Sequence, residues 1–193
     1  MPYNPVSKII FIHIPKTGGT SINSVLGLNM FYSMVEVPEP QHLPAKIVKK
    51  ALIPAFWRDA FKFTILREPI DKMLSEFGWR LDRNDPEIIR QFKNTEEDFH
   101  QFLLMSKDIV KQEDYTKYTY SHFRPQYQFI EDVEMDRIFH YERMDQVERH
   151  FNCTLPHYNK RKIELNDILS ERNEQLIREI YAKDFDLFTL TMV

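Results

Sequence analysis

Residues 8–14 (KIIFIHI) form a short, apolar, β-branched run that stops at Pro15 and leads directly into Lys16-Thr17-Gly18-Gly19-Thr20-Ser21. This junction narrows the possible folds more than any other stretch. Its length and flanks predict a buried strand. Thr20 or Ser21 can then cap a helix running to about Leu26, with Gly27 as its stop. A strand, a glycine-bearing turn and a helix make the front of an α/β nucleotide-binding unit. The chain has only 4 glycines in 193 residues, and two of them are the adjacent pair Gly18-Gly19. Glycine this scarce points to a backbone requirement at the turn.

The remaining pattern supports one α/β domain spanning residues 1–193, with no repeat, low-complexity segment or linker. Residues 61–66 (FKFTIL) read as a second buried strand and 137–141 (RIFHY) as a third. Between the first two strands, residues 31–54 are irregular and proline-rich, with a short helix over 45–52. Pro69 suits a helix's first turn, and 70–81 carry a helical pattern. Thr95 to Asp98 resembles a capping box that opens a helix to about Ser106. Residues 108–121 read as a polar, tyrosine-rich surface loop. A short helix fits 144–151, and Ser170 begins a well-marked last helix. The expected architecture is a P-loop-like three-layer fold, a central mainly parallel sheet flanked by helices.

The turn can hold an anion. Backbone N–H groups converge where a strand ends in such a loop and a helix starts. Gly18 and Gly19 permit close approach, Lys16 adds charge, and Thr17, Thr20 and Ser21 add hydroxyls. Lys16 precedes both glycines, so the loop differs from G-x-x-x-x-G-K-[ST], and it is not G-x-G-x-x-G either. On its own the segment also fits an ordinary strand-to-helix turn with solvated polar side chains. A net charge of −3 argues against a nucleic-acid or anionic-membrane binder. The single cysteine, Cys153, lacks an internal disulfide partner and metal-ligand spacing. No apolar run approaches the ~20 residues of a membrane span, and residues 1–7 lack a signal pattern. Read as a whole product, the chain is expected in the cytoplasm.

Four segments resemble the sulfotransferases that use 3′-phosphoadenosine 5′-phosphosulfate (PAPS), and within them the carbohydrate branch of heparan sulfate 2-O- and chondroitin/dermatan sulfotransferases. Residues 11–21 (FIHIPKTGGTS) resemble the family's 5′-phosphosulfate loop. Residues 61–77 (FKFTILREPIDKMLSEF) resemble its 3′-phosphate segment: a strand, R-x-P, then a helix with Ser eight residues after Arg. Residues 121–130 (SHFRPQYQFI) and 155–160 (LPHYNK), with the terminal YAKDFDLF, resemble later segments. The resemblance implies that Pro15, Lys16, Thr17, Gly18, Gly19, Thr20 and Ser21 hold the 5′-phosphosulfate, with Lys16 at the leaving oxygen. It implies that Arg67 and Ser75 bind the 3′-phosphate, that PAP (adenosine 3′,5′-bisphosphate) is the product, and that no metal is required. Glu68 stands where many relatives have Asn or Asp.

Sulfuryl transfer also needs a base for the acceptor proton. Of seven histidines, His42 is the first candidate, because relatives carry a histidine in this interval. A surface-loop histidine is the competing reading. His122 comes second and, with Arg124, is assigned to acceptor binding. His13 reads as a packed strand residue, and His157 as a loop residue near the nucleotide. Lys160 to Lys162 are further candidates for an anionic group, while Glu76 and Asp71 read as solvated or paired. Trp57, Trp79 and the tyrosines at 115, 118 and 120 receive no role. The partners implied are a nucleotide donor and a saccharide or other hydroxyl acceptor. A P-loop-like nucleotide kinase and a non-catalytic nucleotide- or glycan-binding relative remain open.

Overall fold

The computed structural model describes residues 2–30, 40–83, 92–113, 120–156, 164–165 and 167–192. The sequence candidates Tyr115, Tyr118, His157 and Lys160 to Lys162 lie outside the described residues.

In chain order the strands are β1 (Pro2–Asn4), β2 (Ile9–Ile12), β3 (Asn29–Met30), β4 (Phe61–Leu66) and β5 (Arg137–His140). The helices are α1 (Gly19–Val25), α2 (Ala45–Ala51), α3 (Pro54–Asp59), α4 (Pro69–Arg83), α5 (Glu96–Gln112), α6 (Tyr127–Ile130), α7 (Met144–Phe151), α8 (Glu171–Ile180) and α9 (Ala182–Thr191). The sheet order is β3-β1-β2-β4-β5. β2, β4 and β5 are mutually parallel, with Ile12 opposite Thr64 and Leu66 opposite His140. β1 pairs antiparallel with both β2 and β3, which adds a short edge.

Alternation along the parallel strands divides the core. Ile10, Ile12 and Leu66 pack on one face with Ala45, Val48, Phe129 and Ile130. Phe11, Phe63, Ile65 and Phe139 pack on the other with Ile22 and Val147. Helices thus cover both faces, as the near-continuous apolar runs of buried parallel strands require. A third cluster, built from Met73, Phe77, Phe99, Phe102 and Ile177, joins α4, α5 and α8 beside the sheet. Among the described residues no helix is long and apolar enough to cross a membrane.

Several boundaries differ from expectation. Gly18, in the left-handed region at φ 82°, is the N-cap of α1, and no side chain caps it. The hydroxyls proposed as caps are used elsewhere or face the cavity described below. α5 continues through Gln112, past the expected stop at Ser106. In its C-terminal half Ile109 is buried and Val110 packs on the core, while Lys107 forms an ion pair of 2.8 Å with Glu179 of α8. At its start, Thr95 accepts from the Asp98 N–H at 3.2 Å. The Asp98 carboxylate accepts from the N–H of Lys93, so the return bond of a full capping box is redirected. The C-terminal helical pattern breaks at Tyr181 into α8 and α9.

Candidate active site

The carboxyl ends of β2, β4 and β5 open on one side of the sheet, where ligands of open α/β sheets gather. The loop after β2, Arg67 after β4 and Tyr141 after β5 line one cavity of about 440 Å³. Ser75, Trp79 and Arg83 join them from α4, and His13, His42 and His122 complete the lining, with the Trp79 and His122 rings 5.2 Å apart.

In the loop, Lys16 has φ 68° and Gly18 φ 82°. A left-handed lysine costs about 1–2 kcal/mol, and such turns direct successive N–H groups into a concavity that suits an anion. α1 is short, so the loop geometry and its cation matter more here than a helix dipole. Gly19 is required by contact: an added Cβ would lie 1.8 Å from His13 Nε2. The Thr17 hydroxyl is turned away, donating to the Ile14 carbonyl at 2.8 Å. The Ser21 hydroxyl donates to the Pro156 carbonyl, which seats the start of the 155–160 segment against the loop.

Lys16 and Arg67 are joined before any ligand is considered. Arg67 Nη1 donates to the Lys16 carbonyl at 3.0 Å, and the guanidinium lies over the Tyr141 ring at 4.2 Å. Gln126 clamps the Arg67 backbone from both sides, accepting its N–H at 3.0 Å and donating to its carbonyl at 2.7 Å. Asp184 of α9 accepts from the N–H groups of Gln126 and Tyr127 at 2.8 and 2.9 Å. Burial raises this carboxyl to about 6 despite those bonds. The next residue, Glu68, accepts the Asp71 N–H at 2.8 Å and so caps α4, while its own N–H donates to Glu142 at 2.9 Å.

α4 presents two stripes at i, i+4 spacing. Ser75, Trp79 and Arg83 line the cavity. Lys72, Glu76 and Arg80 are buried. Lys16 Nζ lies over the Trp79 ring at 4.8 Å and Arg83 over it at 4.7 Å. Burial lowers Lys16 to about 8; Glu76 opposes the shift, and Arg67, Arg80 and Arg83 add to it.

The histidine wall joins three distant segments. His42 ends a 3₁₀ turn (Pro40–His42), and His122 sits within another (Ser121–Phe123). The His13 and His42 rings are 4.4 Å apart, and those of His42 and His122 5.1 Å. His42 Nδ1 is 2.9 Å from the His13 carbonyl. A carbonyl only accepts, so Nδ1 carries the hydrogen and Nε2 holds the lone pair. Burial, then His13 and His122, push His42 well below its ordinary value. Burial lowers His13 to about 3, with His122 adding to the shift. Both rings are therefore neutral at neutral pH. His13 is buried as the strand pattern suggested, but it also lines the cavity. His122 Nδ1 meets the Glu76 carboxylate at 2.9 and 3.1 Å, and Arg80 Nε donates to the same carboxylate at 2.6 Å.

The loop residues 15, 16 and 18–21, Arg67, Ser75, His42 and His122 thus share one cavity. Thr17 and Arg124 do not line it, and the Arg124 guanidinium lies 5.7 Å over Phe129. Trp79, Arg83, Tyr141 and Gln41 line it without having been singled out by the sequence. The 75-79-83 spacing on α4 was the available signal for Trp79 and Arg83. No comparable signal marks Tyr141 or Gln41.

No curated protein and no solved structure matches the chain. A family model described as "Sulfotransferase family" matches residues 2–155, a span that holds all three parallel strands and every residue lining the cavity. On that match the chain belongs to the sulfotransferase family.

Proposed function

We propose that this chain, acting as a single P-loop-like domain, transfers the sulfuryl group of PAPS to a hydroxyl, with a saccharide as the acceptor class. The observation that carries the reading is the pairing of two cationic sites in one cavity. One is the Lys16–Ser21 loop; the other is Arg67 with Ser75 nearby. PAPS carries anionic groups at both its 5′ and 3′ positions and so needs both. A guanidinium with a short hydroxyl suits a phosphate, and a concave loop of N–H groups with a lysine suits a phosphosulfate. The saccharide class rests on the sequence resemblance.

Transfer through a loose transition state builds charge on the bridging oxygen as it leaves. Lys16 is assigned to that oxygen, and at neutral pH it is mostly protonated. The acceptor oxygen attacks sulfur, the bond from sulfur to the bridging oxygen breaks, and PAP departs with the electron pair. His42 is assigned as the base: its Nε2 lone pair is available and its Nδ1–H is held by the His13 carbonyl. The shared catalytic demands are positioning and electrostatic stabilisation at the leaving oxygen.

The test is an assay with labelled PAPS over saccharide, phenol and lipid acceptors. Transfer to at least one saccharide, lost in Lys16→Ala and His42→Ala, is the expected result. Donor binding with no transfer to any acceptor would instead favour a non-catalytic binder, and Mg²⁺-dependent ATP turnover a kinase.

A further inference from the structure

We propose that the acceptor proton is received by a two-imidazole unit, His42 with His122, for which Glu76 is the positioning residue and fixed counter-charge. This rests on the sulfuryl-transfer reading and deepens it.

The cavity and its inner wall hold many cations. Lys16, Arg67 and Arg83 line the cavity, and Lys72 and Arg80 are buried behind it. A proton arriving on His42 would create one more cation beside them, on a ring already desolvated. Glu76 is the carboxylate placed to offset it. It is fully buried, it accepts from His122 and Arg80, and it remains ionised because His122, Arg80 and Lys16 outweigh the cost of its burial. An ionised carboxylate only accepts, so His122 donates through Nδ1. Lys72 Nζ donates to the His122 carbonyl at 3.0 Å, fixing the residue from behind. Carboxylate-backed imidazole is the arrangement that stabilises an imidazolium as it forms. Behind the His42 ring, Nδ1 meets the His13 carbonyl, and the ring meets His122 edge-on at 5.1 Å between ring centres.

The acceptor O–H bond breaks as the oxygen bonds to sulfur. The proton goes to His42 Nε2, and the imidazolium it forms is offset by the Glu76 carboxylate that holds the neighbouring His122 ring. The bridging oxygen leaves on PAP with its electron pair. The charged or titratable groups around the unit are His13 at the end of β2, Lys16 in the loop, and Lys72, Glu76, Arg80 and Arg83 on α4.

Two measurements test this on the full chain. Nitrogen-15 histidine NMR, with PAP as the added ligand, reads tautomer and titration without turnover. His122 is expected as the Nδ1–H form, and Glu76→Gln is expected to lower its titration midpoint by about 1 unit or more. An Nε2–H tautomer, or a midpoint unmoved by the substitution, overturns the proposal. The pH profile of kcat/KM for the acceptor gives the second readout. Its acidic limb is expected to move to lower pH by a similar amount in Glu76→Gln, while PAP affinity is kept. A uniform loss at all pH values with the limb in place would show a merely structural role and overturn the proposal. Glu76 also holds Lys16 up, so the acidic limb is read at saturating donor. Because Glu76→Gln leaves Arg80 buried without that carboxylate, Glu76→Gln/Arg80→Met is the companion variant, expected to give the same limb shift in a more stable protein. A chain with the expected NMR result but no sulfuryl transfer would contradict the function reading, not the dyad.

Discussion

The cationic rim of the cavity comes from residues just beyond the strand ends. Lys16 follows β2, Arg67 follows β4 and Tyr141 follows β5. The histidine wall is assembled differently. His13, His42, Glu76 and His122 come from four separated segments and meet only through tertiary packing. The rim depends on local backbone geometry, with Lys16 and Gly18 in left-handed conformations. The wall depends on buried charge and on ring tautomers. Substitutions on the rim should therefore act on nucleotide affinity or leaving-group chemistry, and those on the wall on proton handling with nucleotide affinity intact.

The largest effect is expected on the wall. His42→Ala should lower transfer by about 10²–10⁴-fold, the usual contribution of a general base, with PAP affinity unchanged by calorimetry. Loss of PAP binding in that variant would erase the distinction between the two regions. Lys16→Ala should cost about 10²–10³ in kcat, as for loss of a group that stabilises transition-state charge. Lys16 also gives the rim its own pH signature. Its folded value of about 8 lies below 10.5, so kcat/KM for the donor should fall above about pH 8. Lys16→Arg should remove that alkaline limb. The sign for stability is the reverse: the unfolded chain holds this proton between about 8 and 10.5, so this group makes the fold more stable as pH rises through that window.

Gly19→Ala joins the two regions, because its Cβ would enter the His13 ring. Overpacking of this kind costs about 1–3 kcal/mol, and both PAP affinity and transfer should fall along with Tm. The smallest effect is expected at Asp184, which reaches Arg67 through Gln126. Its folded value of about 6 exceeds 3.8, so the folded chain retains a proton that the unfolded chain has released. Stability from this group therefore declines as pH rises from about 4 to about 6. Asp184→Asn should flatten that part of a Tm-against-pH curve and weaken PAP binding a few-fold.

Local pattern made the three parallel strands and the donor loop readable. The span 61–66 coincides with β4 and 144–151 with α7. Arg67 and Ser75 were named through the family resemblance of residues 61–77, a segment that forms one strand–helix unit. The edge strands β1 and β3 were not readable, since three and two residues carry too little pattern. Glu76 is paired, one of the two states its sequence context suggested, but its burial together with Lys72 and Arg80 was not readable. Charges at i, i+4 normally mark a solvated helix face, and here burial is tolerated because His122 and Arg80 satisfy Glu76. The break between α8 and α9 was hidden by helical pattern on both sides of Tyr181. The histidine wall was only half visible: His42 and His122 could be nominated, but not Glu76 or His13, whose places in it arise from contacts across long sequence separations.

The central claim is that this cavity is built for a nucleotide with two separated anionic groups. Thermal melting with PAP and with ATP, each at about 100 times the PAP Kd, tests it most directly. PAP should raise Tm by about 5–10 °C, ATP should do far less, and Arg67→Ala should abolish the difference. Equal stabilisation by both nucleotides, unchanged in Arg67→Ala, would contradict it.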